Sequence, residues 1–144
     1  MNFDLILSSL QDKGYRITKV RKEVVKIFSQ TRKPLSANEI EEMLLKAGLS
    51  VNKATIYREI QFLLHSSLIL KVYLYPDKIS YESSELKHHH HLICDSCGSI
   101  DNVTNCLVEK LDEDVHKKKG FKIKRHMLEF YGTCADCAKN ASRR

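Results

Sequence analysis

Apolar positions lay out the plan of this chain. Phe3, Ile6, Leu7 and Leu10 keep the i, i+3, i+4, i+7 spacing of one helix face, and Gly14 is placed to end that helix. Thr18 can cap a second helix, in which Val20, Val24, Ile27 and Phe28 repeat the spacing while Lys19, Lys22 and Lys26 point elsewhere. Ser36-Ala37-Asn38-Glu39 has the form of a capping box, with Ile40, Met43, Leu44 and Ala47 as the apolar stripe behind it and Gly48 as a left-handed stop. After a turn from Leu49 to Val51, Asn52 opens a fourth helix whose expected buried face is Ile56, Ile60, Leu63 and Leu64, with Thr55, Arg58 and Gln61 turned away. The period then changes to that of strands. Ile69 to Tyr75 is β-branched and aromatic, Pro76-Asp77 makes a turn, and Ile79-Ser80-Tyr81-Glu82 returns as the second arm of a hairpin. A helical bundle accounts for the helices alone; a short turn between the third and fourth helices, followed by a hairpin, describes a winged helix-turn-helix.

Ser83 to Lys87 is short and polar and reads as a hinge. Beyond it the sequence predicts a strand through His88-His89-His90-His91-Leu92-Ile93, running into Cys94-Asp95-Ser96-Cys97. A helix is expected from Thr104 to Lys119, with Leu107, Leu111 and Val115 on one side and Gly120 as its stop. Phe121-Lys122-Ile123-Lys124 alternates as a strand continuing toward Phe130, and the tail from Ala138 to Arg144 reads as frayed. The fold class is therefore α+β, with a winged-helix part over residues 1–82, a hinge at 83–87 and an α/β part over 88–144.

The chain has 144 residues, 42% of them apolar, which supports a real core in one domain or two small ones. No apolar run approaches the roughly 18 residues of a spanning helix, and the start lacks the basic head and apolar body of a secretory signal, so the expected location is the cytoplasm. In a reducing compartment, two Cys-x-x-Cys pairs read as metal ligands rather than disulfides. The net charge of +6 is unevenly placed: Lys13, Arg16, Lys19, Arg21, Lys22, Lys26, Arg32 and Lys33 share their stretch with Glu23 as its one acid. Such a stripe suits a phosphate backbone, and a plain solvated face equally.

Cys94, Cys97, Cys134 and Cys137 offer four thiolates in two pairs, the donor set of closed tetrahedral zinc. Redox dithiols and an iron-sulfur cluster are the alternatives. Cys106 is left over as a small side chain for burial. On a strand, the period of two puts His89 and His91 on one face and His88 and His90 on the other. Neither pair saturates a metal, so each face must recruit ligands from Glu82, Asp101 or Asn102, Glu109 and His126. His65 and His116 read as structural or solvated.

Taken together, Gly14-Tyr15-Arg16-Ile17-Thr18 with Arg21, Ser36-Ala37, Ala54-Thr55-Ile56-Tyr57-Arg58, Tyr81-Glu82, the histidine run through Gly98, and Tyr131-Gly132-Thr133-Cys134 resemble the ferric uptake regulator (Fur) superfamily of metal-dependent bacterial repressors. The resemblance runs from the first helix to Cys137. It implies a homodimer, each subunit having an N-terminal winged helix and a C-terminal dimerisation domain, with metal fixing the angle between them. It implies a structural zinc site at the four cysteines. Glu82, His89 and His91 resemble ligands of its regulatory site, which the neighbouring Asp101 is expected to complete, and His88, His90, Glu109 and His126 resemble its second site. Arg16 resembles the residue that enters a minor groove, and Tyr57 and Arg58 those that reach bases and phosphates; Arg21, Asn52, Lys53 and Thr55 complete the expected DNA contacts on a palindromic operator.

The sequence also departs from the family pattern. Pro34 stands two residues before the Ser36-Ala37 pair, where the family places a histidine, Asn102 stands where a carboxylate is common, and His90 replaces an aspartate of many iron regulators. Fe(II), Zn(II) and Mn(II) stay open as the regulatory metal. The expected function is a non-enzymatic, metal-responsive repressor, controlling metal uptake genes with iron as the first reading. Its alternatives are a zinc-uptake or peroxide-responsive regulator, or, from other classes, a zinc-dependent thiol oxidoreductase or metallohydrolase and an architectural DNA-binding protein.

Overall fold

The computed structural model describes residues 2–75, 78–86, 88–104, 108–124 and 126–141, and the chain divides into two compact units, Met1–Leu86 and Lys87–Arg144. In the first unit, α1 (Phe3–Asp12), α2 (Lys19–Gln30), β1 (Leu35–Ser36), α3 (Ala37–Lys46) and α4 (Lys53–His65) precede β2 (Ile69–Tyr75) and β3 (Lys78–Ser83). The caps follow local chemistry. Asn2, Thr18, Ser36 and Asn52 each accept the backbone N–H three residues on, which satisfies a donor the first helical turn leaves free. Glu39 closes the capping box by accepting from the Ser36 backbone. Gly14 and Gly48 end α1 and α3 at φ 80° and 77°, values that a Cβ would disfavour.

The core of this unit is Ile6 and Leu10 of α1, Val24, Val25, Ile27 and Phe28 of α2, Ile40 and Leu44 of α3, Ile56, Ile60 and Leu63 of α4, and Leu35, Ile69 and Tyr81 of the sheet. Leu64, expected on the buried face of α4, is only half-buried; Glu59 takes the buried place instead. The sheet order is β1-β3-β2, all antiparallel. β1 was not anticipated: its two residues also serve as the entry to α3, so they carry no alternation of their own. The turn at Pro76-Asp77 lies outside the described residues.

The second unit runs β4 (His90–Cys94), β5 (Ile100–Val103), α5 (Val108–Lys119), β6 (Glu129–Gly132) and α6 (Ala135–Ala141). Its sheet order is β5-β4-β6, with β4 antiparallel to β5 and parallel to β6. Three expectations are corrected here. The strand begins at His90 rather than His88, because the ladder partners run out: Val103 faces His90 and Glu129 faces His91. Phe121 to Lys124 is not a strand, and the Ile123 N–H is instead satisfied by the Asp112 carboxylate of α5 at 3.0 Å. The stretch after Cys134 is helical to Ala141, where a frayed tail was expected from Ala138. Thr104 lies before α5, and Cys106 and Leu107 lie outside the described residues.

Candidate metal centres and nucleic-acid interface

Cys94 ends β4, Cys97 sits in the turn that follows, Cys134 precedes α6 and Cys137 lies within it. Two local devices bring them together. The Gly98 N–H donates to the Cys94 carbonyl at 2.8 Å with Gly98 at φ 70°, folding the first pair into a knuckle. The parallel pairing of Cys94 with Gly132 carries the second pair alongside, and the Cys134 N–H donates to Cys94 Sγ at 3.2 Å. One ligand atom from each of the four lies within 4.8 Å of the others, and Cys97 Sγ stands 3.9 Å from Cys134 Sγ. A tetrahedron with zinc–sulfur bonds of about 2.3 Å has edges of about 3.8 Å, so the donors fit zinc in type and in spacing.

The cluster also separates its thiols electrically. Backbone N–H donors, from Cys134 first and then Cys97, bring Cys94 down to about 6, so it is ready to coordinate as thiolate. Hydrogen bonding to Cys134 and then Cys97, with burial, pushes Cys137 up to about 12. Neighbouring thiolates repel one another, and a bound cation removes that conflict by binding all four deprotonated.

The histidine run divides by parity. His88, His90 and His126 converge, with Nε2–Nε2 distances of 3.2 Å for His88–His90 and 3.1 Å for His88–His126. Three imidazoles around one zinc at about 2.0–2.1 Å stand about 3.3 Å apart, so this group also fits a metal. His90 Nδ1–H donates to the Leu128 carbonyl at 3.1 Å, which fixes the tautomer and leaves Nε2 as the ligand. Burial, followed by the neighbouring His88 and His126, keeps the His90 pKa below the ordinary imidazole range, favouring the neutral, ligating form. Glu109 falls on α5, but its side chain lies outside the description.

His89 and His91 form the other pair, with ring centroids 4.9 Å apart. Asp101, the expected ligand beside them, is a correction: it is registered opposite Leu92, so the pleat turns it to the other face. Asn102, directly across from His91, holds that place. Glu82 is a buried carboxylate of β3 in the first unit, registered opposite Leu70.

On the first unit, Asn52 caps α4 and also accepts the Thr55 hydroxyl at 2.9 Å, leaving Lys53, Tyr57 and Arg58 on an exposed face. Arg16 is exposed in the segment between α1 and α2. Arg21 differs from the rest: its guanidinium is turned into the unit and occupied by protein groups. Its partner Glu59 escaped sequence reasoning, although the signal was present, since Ile56, Glu59, Ile60 and Leu63 occupy one helical stripe with an acid inside it.

Residues 12–131 match the family described as FUR, the Ferric uptake regulator family. The Ferric uptake regulation protein of Legionella pneumophila is 31% identical over 129 residues, covering 89% of this chain and 95% of its own. That of Neisseria meningitidis is 28% identical over 138 residues, covering 95% and 96%. The solved Helicobacter pylori ferric uptake regulator Fur, described as revealing three functional metal binding sites, superposes with a TM-score of 0.82 at 25% identity, covering 96% of this chain and 95% of that one. With a four-cysteine cluster, a histidine triad and a winged-helix unit on one chain, these likenesses are decisive: the chain belongs to the ferric uptake regulator family and is a metal-responsive transcriptional regulator.

Proposed function

We propose that this regulator is a homodimeric repressor of metal-uptake genes, iron first, binding a palindromic operator with one α4 in each of two successive major grooves. The observation that carries the reading is the composition of one short stretch: His88 to Cys94 contributes donors to the three-histidine group, to the His89–His91 pair and to the four-cysteine cluster. Metal loading therefore bears on a single strand and the turn leading into it. Iron enters through the relatives, which are named for ferric uptake. Zn(II) as the sensed ion is the second reading, since the two imidazoles and one carboxylate assigned below to the regulatory ion suit zinc as well as iron.

By family resemblance we assign Glu82, His89 and His91 to the regulatory ion, the four cysteines to structural zinc, and His88, His90 and His126 with Glu109 to a second ion. A bound ion supplies charge neutralisation and a cross-link among its ligands. The rest is done by the chain: Asn52 holds the start of α4, Lys53, Thr55, Tyr57 and Arg58 offer donors to a major groove, and Arg16 suits a narrow minor groove. Dimerisation is supported by the apolar side chains the second unit leaves open, among them Leu92, Leu111, Phe130 and Tyr131. We assign no catalytic role and place the protein in the cytoplasm, where thiols stay reduced; among the described residues no helix is long and apolar enough to cross a membrane.

The test is His89→Ala. Metal-dependent affinity for a duplex selected by the wild-type protein is expected to vanish at fixed salt, while one zinc per chain stays at the four cysteines. Unchanged metal-dependent binding in that variant sinks the regulatory assignment.

A further inference from the structure

Glu59 has no task in the reading above, and its position is costly. It lies on the helix offered to DNA, where an exposed acid would repel phosphate, and its side chain is only 11% exposed. Its partner is Arg21, 15% exposed, whose Nε donates to Glu59 Oε2 at 2.8 Å and whose Nη2 donates to Oε1 at 3.3 Å. The third guanidinium nitrogen, Nη1, donates to the Arg16 carbonyl at 2.9 Å. The group also lies over the Phe62 ring, 3.6 Å from its centroid, and Tyr15 meets Phe62 edge-on at 5.0 Å. Arg21 sits in the first turn of α2, where the helix dipole favours an anion, and Glu59 supplies that anion from α4. A buried ion pair adds little net stability, but a forked one fixes geometry. Here the fork ties three pieces together: the start of α2, the middle of α4 and the backbone of Arg16.

We propose that Arg21 and Glu59 are positioning residues, a clamp that sets Arg16 in register with the exposed face of α4, and that Arg21 does not itself touch DNA. The proposal rests on the DNA-binding reading of α4 and Arg16. It reassigns Arg21, because releasing its guanidinium to a phosphate would strand the Glu59 carboxylate in a buried place without its fork.

The decisive variant is Glu59→Gln, because charge alone and the clamp predict opposite signs. Removing an acid from a DNA-facing helix should tighten binding if only charge counts. The clamp predicts roughly tenfold or more weaker binding to a duplex selected by the metal-loaded wild-type protein from a random-sequence pool, the size of losing a well-made charged hydrogen-bond pair. It also predicts little change on a scrambled duplex and an unchanged slope of log affinity against log salt. Arg21→Lys keeps the charge and loses the fork, so it should match the loss, and the double variant should be no worse than either single one. Circular dichroism and thermal melts confirm folding; if Glu59→Gln does not fold, Arg21→Lys decides.

Equal or tighter binding by Glu59→Gln overturns the clamp, as does a salt slope that falls by about one in the charge-removing Arg21→Gln, the mark of a lost phosphate contact. Wild-type protein that selects no duplex overturns the DNA-binding reading itself. Amide exchange across Tyr15 to Thr18 then still judges the clamp: it should speed up in Glu59→Gln, and exchange at the wild-type rate rejects it.

Discussion

The two units of this chain are built on different physics. The first buries apolar side chains from every helix and from its sheet around one centre, with Val24, Ile40, Leu44 and Ile60 fully enclosed. In the second, among the described residues, the buried side chains are Ile93, Cys94, His90 and His91, while Leu111, Phe121 and Met127 stay exposed at 54%, 64% and 78%. A unit that buries so little cannot offset the chain entropy of ordering itself by apolar contact alone. What its described residues gather is donors: four cysteines and three histidines, brought together around β4. The first unit is organised by an apolar core, and the described part of the second by clustered ligand donors.

The largest expected effect breaks this contrast directly. Stripping metal with a chelator, or replacing Cys94 with Ser, should abolish amide protection throughout the second unit and leave α1 to α4 protected. Structural zinc in small domains is worth on the order of 10 kcal/mol of folding free energy, more than such a unit can replace. Hydrogen exchange read by mass spectrometry separates the two units in one experiment. Protection of β4 to β6 that survives chelation would mean the second unit has a core of its own.

The converse substitution is Ile60→Ala, at a side chain that is 0% exposed in the middle of α4. Removing it leaves a cavity in the buried core of the first unit, at a cost of about 2–5 kcal/mol, a large part of a domain's stability. The first unit should melt earlier while zinc stoichiometry at the four cysteines is unchanged. If zinc is lost along with the first unit's stability, the two are not independent in the way their construction implies.

The same contrast explains what could be seen in the sequence. The first unit was legible because its organising signals are local: Thr18, Ser36 and Asn52 announce helix starts, and Gly14 and Gly48 announce stops. Its failures were tertiary. β1 exists because β3 lies beside it, and Glu59 is buried because Arg21 reaches across from α2. The second unit yielded its chemistry more readily than its shape. The parity of the histidine run anticipated which rings meet, since alternation persists through His88 and His89 even though the paired strand begins at His90. Strand partners left no such trace: Ile100 to Val103 became β5 by lying against β4, and Phe121 to Lys124 alternates with no ladder to join. Asp101 and Asn102 differ by one position, and only the register with Leu92 and His91 decides which of them shares the face of His89 and His91.

The smallest effect sharpens the comparison from the side of the first unit, whose stability should answer to pH through an ordinary carboxylate at a helix cap. Glu39 is partly desolvated, which raises its pKa, but hydrogen bonds from the Ser36 hydroxyl and backbone, together with Lys78 and Lys33, outweigh that and hold it below the usual carboxylate value. The unfolded chain then binds more protons than the folded one in the acid range, so stability rises with pH there. The contribution is fully present above the ordinary carboxylate pKa and is lost as pH falls through the lowered folded value. Its size is under about 1 kcal/mol, because the side chain is 40% exposed and solvent screens the charge. Glu39→Gln should therefore lower the first unit's melting temperature slightly at neutral pH, and the gap to wild type should close between about pH 5 and pH 3. A gap of constant size across that range would show that the carboxylate's charge does nothing at this cap and that the geometry of the Ser36 bonds carries all of it.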